Sequence, residues 1–292
     1  MSSSDSKIIL VTGCSSGFGL LIAARLVSQG HIVYATMRNL QKQSGLLSEV
    51  NRRGGEVIIR QLDVTDKQSI QKTMDDIANQ HGYLDVLVNN AGYAIGGFFE
   101  DLSEQEIRDQ METNFFGVQN VTRAAIPLMR PRRQGKIINI SSIAGLDASP
   151  GLGAYNASKW ALEGFSESLQ AELAFWGIQV LLIEPGTYKT SIFHDNARLA
   201  KNFNNPESPY YAISQHIYAR LMGYVEGCCK KDPEAIAMLV EKLIHQKYPA
   251  FRHLTDFECR MRLIFRKILP FSFYRDVTRK VIFKGFKESA SI

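Results

Sequence analysis

The sequence predicts a three-layer α/β fold, a doubly wound parallel sheet in a single domain with a helical C-terminal extension. Two observations carry this. Short, nearly continuous apolar runs alternate with segments of helical periodicity over roughly the first two-thirds of the chain, the pattern of strands buried on both faces. The first run is followed at once by a glycine-rich turn that opens a helix, a combination that marks the first unit of such sheets.

The elements follow in order. Residues 7–12 (KIILVT) form a β-branched strand, and residues 20–29 a helix ending at Gly30, a candidate C-terminal cap. Residues 32–36 are a second strand, followed by a polar helix to about residue 53, and 56–64 a third strand with Asp63 at its end. A helix over 66–80 takes Asp66 as its N-cap, and 84–92 (LDVLVNNAG) is a fourth strand running into a turn. Two helical segments, 103–114 and 117–129, precede a strand at 136–140, a long helix over 153–176 and a sixth strand at 179–186. Over 187–229 the alternation fails in polar, aromatic and Pro-containing sequence, which reads as a substrate lid. Residues 232–245 form a further helix with Asp232 as cap and Pro233 at its first position, and 248–256 supply a short seventh strand.

Bulk properties narrow the function classes. The start MSSSDSK has no apolar core, and no apolar run approaches the ~18 residues that span a bilayer, so neither a secretory signal nor a membrane span is expected. Four irregularly spaced cysteines suggest neither a disulfide framework nor a metal site and fit a reducing, cytoplasmic setting. The net charge of +5 is uneven: from residue 251 onward ten Lys/Arg face four Asp/Glu, a balance of +6. Two basic amphipathic segments split by Pro270 lie there. They read either as packed helices with solvated basic faces or as a peripheral contact with an anionic membrane. A cover for the substrate cleft or a partner subunit fits them too. No base-reading module accompanies the charge, so nucleic acid is not an expected partner.

The chemistry concentrates in two stretches. Thr12 to Gly19 reads TGCSSGFG, with glycines at 13, 17 and 19 that let backbone approach a ligand and aim a helix N-terminus at an anion such as a pyrophosphate. Ser142, Tyr155 and Lys159 fall within eighteen residues, and Tyr155 and Lys159 share one helix face a turn apart. A phenol beside a cation suits proton transfer to or from an oxygen. With Asn89–Gly92 (NNAG), Asn114 in NFFG and Pro185–Gly186 added, six motifs stand in one order. The chain thereby resembles the short-chain dehydrogenase/reductase family, whose fold is of the Rossmann type. The wording of TGCSSGFG, VYATMRNL, TNFFG and ALEGFSESL resembles the branch of steroid and retinol dehydrogenases and their uncharacterised bacterial relatives.

The resemblance implies roles. Tyr155 is expected to be the acid in carbonyl reduction and the base in alcohol oxidation. A free tyrosine is only ~0.1% ionised at pH 7, so oxidation needs its pKa lowered, which Lys159 and the oxidised nicotinamide are expected to do. Lys159 also binds the nicotinamide ribose, Ser142 the substrate oxygen, and Asn114 a water linking Lys159 to solvent. Gly13, Ser15, Ser16, Gly17, Phe18 and Gly19 are expected at the pyrophosphate, with Asn90, Ala91 and Gly92 at the adenosine half. Asp63 and Val64 are expected at the adenine, and Pro185, Gly186 and Thr190 at the nicotinamide. Where a carboxylate after the second strand would select NAD(H), this chain has Thr36, Met37 and Arg38. Arg38, with Ser15, favours NADP(H) over NAD(H) through a guanidinium fork on the extra phosphate. The implied activity is hydride transfer between NADP(H) and an apolar carbonyl or secondary alcohol, metal-free, in a homodimer or homotetramer built on the helices over 117–129 and 153–176. The rivals are a sugar-nucleotide-modifying extended relative, against which the short second glycine gap counts, and an NADPH-binding sensor, which would have lost Tyr155 or Lys159.

Overall fold

All four side chains of the first strand, β1 (Ile8–Val11), are buried, and alternate residues go to opposite faces. Ile9 and Val11 join one apolar core; Ile8 and Leu10 join the other. That alternation defines the three layers. The computed structural model describes residues 6–189, 197–229 and 231–286.

After β1 come α1 (Gly17–Ser28), β2 (Ile32–Met37), α2 (Ser44–Arg53), β3 (Ile58–Gln61), α3 (Lys67–His81) and β4 (Val86–Asn89). Then follow β5 (Ala94–Gly96), α4 (Glu104–Met111), α5 (Gly117–Met129), β6 (Gly135–Ile140), α6 (Gly153–Ala174) and β7 (Ile178–Glu184). The chain continues with β8 (Ala197–Leu199), α7 (Tyr211–Gly223), α8 (Glu234–His245), β9 (Arg252–Leu254), α9 (Phe257–Ile268) and α10 (Phe271–Ile282). Seven strands pair in parallel in the order β3-β2-β1-β4-β6-β7-β9. One core lies beneath α1, α2 and α8, the other beneath α3, α5 and α6. The order reverses between β1 and β4, so the carboxyl ends of these strands border the crevice where such sheets bind ligands.

Most predicted elements are present, with informative differences. Helix α1 begins at Gly17, three residues before the expected start, because the glycine turn itself becomes the helix's first turn. Strand β3 is shorter than 56–64 and ends at Gln61, opposite the last residue of β2, so Asp63 lies beyond the strand. Asp66 caps α3 by accepting from the Gln68 N–H at 2.9 Å, and Asp232 accepts from the Glu234 N–H at 2.9 Å. The two helices expected around residue 115 are one continuous rod joined by a single π turn, Glu112–Phe116. The proposed lid is not irregular throughout: it contributes β8, paired with β5, and α7. Its aromatics Phe203 and Tyr218 pack edge-to-face, 5.6 Å between centroids, in a third small core with Tyr93 and Ile95. The tail forms two helices that Pro270 separates, and Asp256 caps α9 through the Cys259 N–H at 2.9 Å.

Candidate active site

The glycine turn is locked to the end of β4 by a small set of hydrogen bonds. Thr12 Oγ1 accepts from the N–H groups of Asn90 and Ala91, both at 3.0 Å. Asn90 Nδ2 donates to the carbonyls of Thr12 (2.9 Å) and Gly13 (3.1 Å). Gly13 has φ +74°, and a Cβ there would fall 2.8 Å from Ala91 Cα; one at Gly19 would fall 2.4 Å from Asn90 Nδ2. Only glycine fits either place, so the turn is a close-packed backbone cradle at the start of α1. The Cys14 N–H donates to Thr36 O at 2.8 Å, tying the turn to β2 just before Arg38. The Arg38 side chain is exposed, and its carbonyl accepts from Gln61 Nε2 at 3.3 Å. On the other flank the Phe18 ring meets Tyr188 edge-on at 5.5 Å, which places the turn beside the segment after β7.

Asp63 is spent partly on its own turn: Oδ1 accepts from the Thr65 N–H (3.0 Å) and hydroxyl (2.8 Å). Val64 is buried against Gly117, where a Cβ would lie 2.6 Å from Val64 Cγ2.

Tyr155 and Lys159 leave α6 one turn apart and both are buried. The Lys159 ammonium donates to Ile140 O at 2.9 Å, at the carboxyl end of β6, and sits 5.9 Å from the Tyr155 ring centroid. Burial lowers the Lys159 pKa to about 8, with Glu163 opposing. Burial raises the Tyr155 pKa, with the Ser142 hydroxyl opposing. Desolvation of the phenol outweighs the Ser142 hydrogen bond, so burial favours the neutral phenol. Ser142 Oγ accepts from the Ala144 N–H at 3.1 Å and approaches Pro185 O at 3.5 Å, and the Ile143 N–H donates to the same carbonyl at 2.9 Å. The strand end bearing Ser142 is thereby joined to Pro185 and Gly186.

Asn114 lies in the π turn, fully enclosed. Its Oδ1 accepts from the Tyr93 N–H at 3.1 Å, and its Nδ2 donates to Tyr93 O at 2.9 Å and Ser158 Oγ at 3.2 Å. A Cβ on Gly92 would lie 3.0 Å from Asn114 Oδ1. The side chain thus braces the loop after β4 against α6. Thr190 lies outside the described residues.

The sequence reading missed Asp147. It lies on the loop between Ser142 and Tyr155, is 4% exposed, and accepts from Tyr274 Oη at 2.6 Å, from Arg266 at 3.2 Å and from Arg262. Arg262 also reaches Ser149 Oγ at 3.4 Å. Both tail helices thus clamp the loop that follows Ser142. Gly186 is held from the same direction, since a Cβ there would lie 2.6 Å from Cys259 Sγ at the start of α9.

A parallel sheet with a glycine cradle at its switch point, together with a buried tyrosine, lysine and serine, defines a dinucleotide-type fold. The chain belongs to the short-chain dehydrogenase family, whose model matches residues 7–200. It is 40% identical over 284 residues to the uncharacterised oxidoreductase YusZ of Bacillus subtilis, covering 96% of this chain and 99% of that one. A 3-ketodihydrosphingosine reductase of Bacteroides thetaiotaomicron is 40% identical over 251 residues, covering 84% and 86%. Retinol dehydrogenase 8 of Bos taurus is 33% identical over 259 residues, covering 86% and 81%. Among solved structures, an actinorhodin polyketide ketoreductase with NADPH superposes with a TM-score of 0.73 at 30% identity, covering 87% of this chain and 97% of that one. A family member from Burkholderia phymatum in complex with NAD superposes with a TM-score of 0.79 at 25% identity over the whole of both chains. The chain is an oxidoreductase of this family.

Proposed function

We propose that the protein transfers hydride between NADP(H) and the carbonyl or secondary alcohol of an apolar substrate. The observation that carries this is the convergence of Ser142, Tyr155 and Lys159 at the carboxyl ends of β6 and β7, next to the glycine cradle. The cradle suits a pyrophosphate: the glycine turn opens α1 at Gly17, and a helix N-terminus offers free backbone N–H groups and a favourable dipole to an anion. When bound, the nicotinamide supplies or accepts the hydride. The protein's own part is proton handling. A neutral Tyr155 phenol, which its burial favours, is the form required to protonate the oxygen of a carbonyl being reduced. Ser142 stabilises charge developing on that oxygen by a hydrogen bond. Lys159, charged at neutral pH, holds the ribose and steadies the phenol's conjugate base. Gly17, Phe18, Ser15 and Ser16 line the pyrophosphate end in this reading, with Asp63, Val64, Asn90, Ala91 and Gly92 toward the adenosine and Pro185 and Gly186 toward the nicotinamide.

Arg38 supports NADP(H): it is exposed at the end of β2, where no carboxylate stands. Relatives whose names specify a ketosphingoid base and a retinol support an apolar, lipid-like substrate. Homo-oligomerisation through α5 and α6 is supported by the exposed Phe116, in the π turn that leads into α5, and Trp160 on α6, 44% each. Peripheral contact with an anionic membrane is supported by α9 and α10, where Phe257, Ile264, Ile268, Phe273, Val277 and Val281 are exposed among basic residues. Among the described residues no helix is long and apolar enough to cross a membrane.

Tyr155→Phe tests the reading. It is expected to bind NADPH with unchanged affinity and to lose at least about a hundredfold in carbonyl reduction, followed by NADPH absorbance over a panel including retinal, steroids and long-chain ketones. Turnover equal to the parent protein's would refute the role of the phenol.

A further inference from the structure

Behind the site, two buried carboxyls share one guanidinium. Glu163 lies on α6 one turn beyond Lys159, and Glu184 is the last residue of β7, directly before Pro185. Their side chains are 6% and 0% exposed. Arg252, the first residue of β9, donates through Nη1 to both, at 2.8 Å to Glu184 Oε1, and through Nη2 to the exposed Glu167 at 3.0 Å. Ser141 Oγ donates to Glu163 Oε1. The two carboxyls therefore converge on a single nitrogen, while Glu184 Oε2 is buried with no hydrogen-bond donor. An orphaned buried carboxylate oxygen is costly. A proton on it removes the cost, because Glu184 then donates to the neighbouring Glu163.

The same residues touch the catalytic stretch. Lys159 holds Ile140 O and Glu163 holds the Ser141 hydroxyl, so consecutive residues of the strand end are stitched to consecutive turns of α6. Gly145 makes room for this: a Cβ there would lie 2.8 Å from Glu163 Cγ and 3.0 Å from Lys159 O. We propose that Glu163 and Glu184 share one proton under Arg252, and that Glu163 is a positioning residue for the site, fixing Ser141–Ser142 and favouring the charged form of Lys159. This rests on the functional reading above only for its effect on turnover. The charged groups that face the pair are Lys159 and Glu167 from α6 and Arg252 from β9. Burial raises both carboxyls, and the Glu163 charge adds to the rise of Glu184, with Arg252 opposing in each case. Glu163 in turn counteracts the burial of Lys159.

Two measurements test the proposal. Infrared difference spectra between the parent protein and Glu184→Gln at about pH 6, where ordinary glutamates are ionised, are expected to show one carboxylic-acid C=O band lost in the variant. Glutamine copies the shape of the protonated acid, so this variant is expected to fold. Absence of such a band overturns the shared proton. In the pH profile of carbonyl reduction, Glu163→Gln is expected to move the alkaline limb down by about one unit, whereas Glu184→Gln leaves the limb in place or moves it up. Coincident limbs for the parent and Glu163→Gln overturn the coupling to Lys159. The infrared band needs no turnover, so failure of the pair is distinguishable from failure of the functional reading, which Tyr155→Phe decides.

Discussion

Replacing Asp147 with asparagine is expected to release the C-terminal hairpin while leaving the sheet folded. Asparagine keeps an acceptor for Tyr274 Oη but removes the charge that faces Arg262 and Arg266. A charge-assisted hydrogen bond contributes ~1.5–3 kcal/mol and breaking a buried ion pair costs ~3–5 kcal/mol. Here the two arginine side chains are 38% and 25% exposed and regain water when the carboxylate is gone. A net loss of about 2 kcal/mol follows, roughly a 30-fold rise in the open population of the tail. The loss is local, because the two main cores contain no residue of α9 or α10. Hydrogen exchange of peptides spanning 257–282 is expected to quicken by that factor, with β1, β4 and β6 unchanged. The loop carrying Asp147 runs between Ser142 and Tyr155, so the substrate KM is expected to rise severalfold without a change in NADPH affinity. Tail exchange indistinguishable from the parent's would refute the clamp, and equal quickening across the sheet would refute its locality.

Arg38→Ala is expected to weaken NADPH about ten- to a hundredfold, the loss of one charge-assisted contact, and to leave NADH nearly unaffected; equal weakening in a fluorescence titration removes the phosphate role. Lys159 is protonated below about 8 and neutral above it, whereas Tyr155 stays a neutral acid through that range. Reductive kcat/KM is therefore expected to fall as pH rises through about 8, and a flat profile to pH 10 would contradict the assignment. Exchanging Ile264 and Ile268 for serine is expected to reduce cosedimentation with vesicles containing anionic phospholipid and to leave turnover of a water-soluble ketone unchanged. No parent binding to such vesicles would end the membrane reading.

The fold was legible where burial was two-sided. Strands such as β1 and β7 lie between helices on both faces, so their sequences are unbroken apolar runs bounded by turns. Edge strand β3 has one paired neighbour and half-exposed residues, and its true length is set by pairing with β2 rather than by its own composition. The ribbon of β5 and β8 has three residues a side, contributed by segments about a hundred residues apart, too short for any period to register. Tyr155 and Lys159 could be found because a four-residue spacing on a helix fixes their shared face. Asn114 could be named, but the π turn that aims it changes helical phase by only one residue and leaves the apolar pattern intact. Asp147 could not be found, since the arginines that satisfy it lie more than a hundred residues away and look, in sequence, like solvated charge.

The family match ends at residue 200, yet two sets of buried polar contacts behind the site come from beyond it. Arg252 reaches Glu163 and Glu184 from behind α6, and Arg262, Arg266 and Tyr274 hold Asp147 beside the loop after Ser142. Neither set touches Tyr155 or Lys159 directly. The first sits under the helix that carries both; the second sits under the loop that separates Ser142 from Tyr155. The tail therefore bears on where these groups stand, while Ser142, Tyr155 and Lys159 themselves lie in the matched core. Changes in the tail are thus expected to alter substrate affinity and pH response, whereas the hydrogen bonds that join Thr12 and Gly13 to Asn90 and Ala91 lie within the matched core.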